Sequence, residues 1–173
     1  MANKFNATLD KLKKAYSDTF ADINEAGVVK RITLDSPQMN FIFGGGFAKG
    51  RMYELFGPES AGKSTICTYL AMQNQKHNEE RPMVMYIDFE RSFDRNHAVE
   101  MGLDVSEDKF LFLQPYTGED AFAIINEVIQ DKDSPVGLIV WDSIGATPTK
   151  SGMEDMFKAC VSPDTEVEFI EEN

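Results

Sequence analysis

Three runs that are apolar at every position organise the chain: Met83-Val84-Met85-Tyr86-Ile87, Phe110-Leu111-Phe112-Leu113 and Leu138-Ile139-Val140-Trp141. Strands of this kind are buried on both faces, so the pattern predicts a mainly parallel sheet. Arg51-Met52-Tyr53-Glu54-Leu55-Phe56 is a fourth apolar-rich run and is read as a further buried strand. Helical patterns lie between the runs. Ser64 to His77 is read as one helix, and Thr117 with Asp120 forms a capping box ahead of a second, whose apolar face is Phe122, Ile125, Val128 and Ile129. Near the start, Phe5, Leu9, Leu12, Tyr16 and Phe20 recur at helical spacing, with Lys11, Lys13, Lys14 and Asp18 on other faces. That amphipathic helix covers either its own domain or a neighbouring subunit. Val28 to Leu34 is read as a strand, broken by Asp35-Ser36-Pro37 before the triple glycine Gly44-Gly45-Gly46. The alternation of strand and helix predicts an α/β domain of three layers.

Between the fourth run and its helix stands Gly57-Pro58-Glu59-Ser60-Ala61-Gly62-Lys63-Ser64-Thr65, which meets every fixed position of the phosphate-binding P-loop pattern. The chemistry explains the residue types. A helix N-terminus offers free backbone N–H groups and partial positive charge to an anion, and glycines let the backbone approach closely. Lys63 would reach the outer phosphates as a point charge, and the Ser64 hydroxyl would be a ligand of Mg²⁺ that keeps most of its waters. The expected cofactors are therefore a nucleoside triphosphate and Mg²⁺.

Composition narrows the class. With 173 residues, 42% hydrophobic and 27% charged, the chain has the make-up of a soluble globular domain with one core. No stretch of about 18 apolar residues occurs and no signal segment opens the chain, so a cytoplasmic protein with no membrane partner is expected. The formal charge of −12 disfavours a generic nucleic-acid-binding surface, which is normally basic. Cys67 and Cys160 lack metal-ligand spacing, and Cys67 reads as a small core residue.

In parallel sheets ligands bind beyond the carboxyl ends of the strands, which singles out two acidic positions. Asp142 ends Leu138-Ile139-Val140-Trp141 in the manner of a Walker B carboxylate, which supports Mg²⁺ through water. Tyr86-Ile87-Asp88-Phe89-Glu90 ends the earlier strand in the same way, and Glu90 could orient and polarise an attacking water. A solvated loop carboxylate is the plainer reading of Glu90.

Taken together, Phe56 to Thr65 with its Pro-Glu-Ser insert, Tyr86-Ile87-Asp88-Phe89-Glu90 and Trp141-Asp142-Ser143-Ile144 resemble the RecA recombinase family of bacteria and phages, over about residues 1–159. The resemblance implies a RecA-like ATPase core in which residues 57–65 bind ATP, Glu90 activates water and Asp142 supports the metal. It also implies strand exchange on single-stranded DNA by self-associated filaments, with the N-terminal helix and strand docked on the next subunit. Asp94 aligns near the family's adenine site. His97 falls where the bacterial proteins carry a stacking tyrosine; imidazole stacks with less area, and a lone His is otherwise a surface or core residue. The resemblance stops near Lys158, before the family's DNA loops, so the predicted core is incomplete on its C-terminal side.

The last residues, Cys160 to Asn173, resemble instead the N-terminal block of an intein. Cys160 would attack the carbonyl of Ala159 to give the thioester that begins splicing, and Thr165, Val167 and Phe169 alternate with Glu166 and Glu168 as in a half-buried strand. The competing readings are an acidic terminus with an incidental cysteine, or a truncated recombinase without splicing. The expected organisation is 1–34 for subunit docking, 35–159 for a partial ATPase core and 160–173 for an intein fragment completed by a partner chain carrying the remaining intein and recombinase. Two other functions compete: a P-loop small-molecule kinase, and a pure interaction module.

Overall fold

The computed structural model describes residues 2–17 and 29–153. The chain divides into two compact units, Met1–Lys30 and Arg31–Asn173. In the first, helix α1 spans Ala2–Ala15 and closes on Lys13 and Lys14, cations that suit the negative end of a helix dipole. Phe5 and Leu12 on it, and Tyr16 directly after it, are exposed. Phe20 lies outside the described residues.

The second unit holds the sheet. Strands β3 (Met83–Asp88), β4 (Phe110–Leu113) and β5 (Val136–Asp142) are parallel in the order β4-β3-β5, so β3, the most buried of the three, is central. The register sets Ile87 opposite Leu113 on one side, and Tyr86 opposite Val140 and Asp88 opposite Asp142 on the other. Side chains of β3 alternate between two layers. Val84 and Tyr86 pack with Ala71 of helix α3 (Lys63–His77), with Ala98 of helix α4 (Arg95–Glu100), and with Leu103, Phe110 and Val140. Met85 and Ile87 face Ala121, Ile124, Ile125 and Val128 of helix α5 (Gly118–Gln130). This is the α/β arrangement expected from strands apolar on both faces.

Thr117 caps α5, its Oγ1 accepting from the Asp120 N–H and donating to the Asp120 carboxylate at 2.5 Å. The apolar face of α5 is the expected one in part: Ile125 and Val128 pack on the sheet together with Ala121 and Ile124, while Phe122 and Ile129 are exposed. A small Ala at the centre of the contact lets the helix lie close to the sheet, and larger residues are pushed to its flanks.

Ahead of the sheet, strands β1 (Arg31–Ile32) and β2 (Phe47–Ala48) form an antiparallel pair, joined through helix α2 (Pro37–Ile42). The expected strand from 28 to 34 is thus only two residues long in the described part. Gly46 has φ +117°, and a Cβ there would collide with the main chain of Ile32, so the β1–β2 contact depends on that glycine.

The fourth apolar run is the main correction. Arg51 to Phe56 is not a strand, and its main chain makes no backbone hydrogen bond among the described residues. Met52 is 98% exposed and Phe56 88%. Only Tyr53 is anchored: its ring stacks on Phe47 at 4.0 Å and its hydroxyl accepts from the Ala48 N–H. A strand exists only as a paired object, and the partners of β5 among the described residues lie on its β3 side alone.

Candidate nucleotide site

The phosphate loop leads directly into α3. Gly62 is the N-cap, in the left-handed region at φ +89°, a conformation that costs glycine nothing and most other residues about 1 kcal/mol or more. Its carbonyl accepts the first helical bond, from Ile66 N–H. The amides of Lys63, Ser64 and Thr65 therefore have no acceptor among the described residues, as at any uncapped helix start. The loop carries no side-chain cap either. Lys63 folds its ammonium back onto the loop, donating to the carbonyls of Gly57 at 3.1 Å and Pro58 at 2.9 Å. Ser64 and Thr65 are exposed. In sum, Gly57, Pro58, Glu59, Ser60, Ala61, Gly62, Lys63, Ser64 and Thr65 form one exposed turn that begins a helix, with donors facing solvent.

At the carboxyl ends of β3 and β5 the side chains are tied to one another. Asp142 is almost fully buried, and its Oδ2 accepts from the hydroxyl of Tyr86 at 2.7 Å. Asp88, also buried, accepts from the backbone N–H of Ser92 and of Phe93 and from the side-chain amide of Gln114, which closes the turn that carries Glu90. Glu90 itself is exposed, and Ser143 donates to its Oε1 at 2.6 Å. Phe89 N–H donates to the carbonyl of Asp142 at 2.7 Å. The two strand ends thus share three cross-links, with Glu90 on the turn that follows β3 and Asp142 at the end of the adjoining strand β5.

Helix α3 adjoins this end of the sheet. Cys67, one turn beyond the phosphate loop, is partly buried against the core, and burial together with the negative charge of Asp142 pushes its thiol up to about 11. It is a neutral core residue at pH 7, as read from the sequence. Tyr86 is likewise pushed upward, first by burial and then by its bond to Asp142, so it remains a protonated donor.

The fit of Mg²⁺ follows from the donor set. Among the described residues no group of three His, Cys, Asp or Glu lies together; the donors expected from the sequence are the exposed Ser64 hydroxyl and the buried Asp142 carboxylate. A magnesium ion that arrives on a triphosphate and keeps its waters needs only one or two protein oxygens.

Two further candidates lie at helix α4. Asp94 is exposed and caps α4, its Oδ1 accepting from His97 N–H at 2.9 Å; His97 is exposed on the same short helix. Cys160 and the tail to Asn173 lie outside the described residues. Sequence reasoning passed over Tyr86, Asp88, Gln114 and Ser143 as site residues. Tyr86 was the one hydroxyl in an otherwise apolar strand, and that was the available signal.

Comparison with known proteins gives the same picture from another direction. The sequence matches the RecA N-terminal domain family over residues 4–164. It is 38% identical over 110 residues to the protein RecA of Mesoplasma florum, covering 64% of this chain and 31% of that protein. The plasmid-encoded RecA of Lactococcus lactis subsp. lactis is 41% identical over 110 residues, 64% of this chain and 30% of its own length. The RecA of Bacteroides thetaiotaomicron is 33% identical over 152 residues, 86% of this chain and 44% of that protein. The chain therefore spans less than half the length of these relatives. With a match that runs nearly from end to end, an α/β core with a parallel sheet and a phosphate loop at the start of α3, the chain belongs to the RecA N-terminal domain family.

Proposed function

We propose that this chain is the N-terminal part of an ATP-dependent, single-stranded-DNA-binding recombinase. The observation that carries the reading is that the amides of Lys63, Ser64 and Thr65 have no acceptor among the described residues, at the start of a helix that packs on β3 and β5, the strands leading to Glu90 and Asp142. Residues 57–65 bind the triphosphate, with Lys63 leaving its two carbonyl partners for the outer phosphates. Mg²⁺, where bound, would neutralise phosphate charge, held by Ser64 and, through water, by Asp142. Glu90 orients the attacking water and accepts its proton, and the Ser143 hydroxyl holds that carboxylate in one rotamer. Asp94 and His97 are proposed to meet the adenine.

Binding of a fluorescent ATP analogue to the 173-residue chain tests the phosphate site. Lys63→Ala is expected to weaken it by about a hundredfold, the loss of charge-assisted bonds totalling about 3 kcal/mol. Equal binding by the variant would count against the site, and ATP turnover stimulated by a small acceptor instead of single-stranded DNA would favour a kinase.

The DNA-dependent ATPase, filament assembly and strand exchange are proposed of the completed protein. The exposed Phe5 and Leu12 on α1, with Tyr16 directly after it, supply a face for docking on another subunit. Residues 160–173 are proposed to be the N-terminal fragment of a split intein, with Cys160 as splicing nucleophile and a partner polypeptide supplying the rest. The support is the Cys160 start and the Asp164-Thr165-Glu166-Val167 strand pattern. The family match runs on to residue 164, across the proposed Ala159–Cys160 junction, so chemistry must decide. Mixing with a polypeptide that carries the intein remainder and the recombinase remainder should give a ligated product by mass spectrometry. No ligation by wild type, or unchanged ligation by Cys160→Ala, would dismiss trans-splicing.

A further inference from the structure

We propose that Tyr86 is a positioning residue for Asp142: its buried hydroxyl fixes one carboxylate oxygen so that the other is presented to a magnesium-bearing nucleotide. This rests on the reading of Asp142 as the metal-supporting carboxylate.

The geometry is specific to the strand pairing. Tyr86 lies on the central strand directly opposite Val140, two positions before Asp142, and side chains lean along their strands, so the phenol reaches the next inward-facing residue of β5. Its ring is held on the other side by Phe93 at 4.8 Å, Phe110 at 6.0 Å and Phe112 at 6.4 Å between centroids. The ring is 1% exposed and cannot swing away without opening the core.

The chemistry of the donor matters as much as its place. Among the described residues, Tyr86 is the only side chain that donates to the Asp142 carboxylate. A neutral hydroxyl fixes rotation about the Cβ–Cγ bond while leaving the full negative charge available. A Lys or Arg at the same place would cancel that charge and compete with the cation. The other buried carboxylate nearby, Asp88, is occupied by Ser92, Phe93 and Gln114 and does not share the phenol. Packing alone does not need the hydroxyl, since Phe fills the same volume.

Hydrogen-bond partners of metal-supporting carboxylates typically change metal affinity by 10- to 100-fold when removed, and a water-mediated site belongs at the lower end. The test is Tyr86→Phe in the full chain, read by a fluorescent ATP analogue in excess Mg²⁺ and in EDTA, by a Mg²⁺ titration at fixed nucleotide, and by thermal unfolding. The expected result is a Mg²⁺ midpoint raised about tenfold with metal-free binding unchanged, and no added effect of Tyr86→Phe in an Asp142→Ala background. A midpoint within about twofold of wild type, equal weakening with and without Mg²⁺, or a Tyr86→Phe chain that loses its fold would assign the hydroxyl to structure alone and overturn the proposal. Wild-type chain that binds no analogue would instead overturn the nucleotide reading on which it rests.

Discussion

The two halves of the proposed site are built differently. At the ends of β3 and β5 every acidic side chain is held: Asp142 by Tyr86, Asp88 by two amides and Gln114, Glu90 by Ser143. Behind them Val84, Met85 and Ile87 are fully buried. The approach to the phosphate loop has none of this. Residues 51–56 make no backbone–backbone hydrogen bond among the described residues, and two of their large apolar side chains face solvent. The carboxylate half is preorganised by packing, whereas at the phosphate half the amides of residues 63–65 have no acceptor among the described residues.

That contrast can be broken by substitution. Ile87→Ala should cost about 2–5 kcal/mol, as deletion of a buried aliphatic side chain does, while Met52→Ala should stay within about 0.5 kcal/mol; chemical denaturation of both variants measures the gap. Equal effects would mean that the 51–56 stretch is packed in solution. Next in size, Asp88→Ala leaves two part-buried amides and the Gln114 side chain without their acceptor, and should cost about 1–2 kcal/mol. The same variant should weaken the grip on the Glu90 turn while leaving analogue binding at the phosphate loop nearly intact. Simultaneous loss of both would show that the halves are coupled more tightly than their contacts suggest.

A smaller effect sharpens the comparison at the far end of α3. Asp35 accepts from Lys76 at 2.7 Å, from Gln73 and from His77, bonds that pull its carboxyl well below the usual carboxylate range. A folded-state value below the unfolded one means that the tie stabilises the fold above about pH 4 and is lost as pH falls further. Because the group is open to solvent the slope should be shallow. Asp35→Asn should remove that slope from an acid titration of the melting temperature; an unchanged slope would assign it to other carboxylates.

How much of this the sequence contained depends on which residues interact locally. Phe110–Leu113 and the Met83 run were placed to within a residue, because strands apolar at all positions have one physical interpretation in a chain of this size. Capping was legible too, since Thr117 and Asp120 meet within one turn. Arg51 to Phe56 failed by the same logic: apolar content predicts burial, but a ladder needs a neighbour, and no local pattern says whether one is there. The acid pair Glu90 and Asp142 was visible as strand-end chemistry. Its supports were not, because Tyr86 to Asp142 and Ser143 to Glu90 span more than fifty residues and follow from the β3–β5 register. On α5, counting large apolar residues overlooked Ala121, whose small size sets the contact.

The most direct test is amide hydrogen exchange of Lys63, Ser64 and Thr65 with and without ATP and Mg²⁺. These N–H groups should exchange rapidly in the free chain and become strongly protected on addition of the nucleotide, while the β3 amides stay protected throughout. Amides at 63–65 that are protected from the start, or that ignore ATP, would contradict the account.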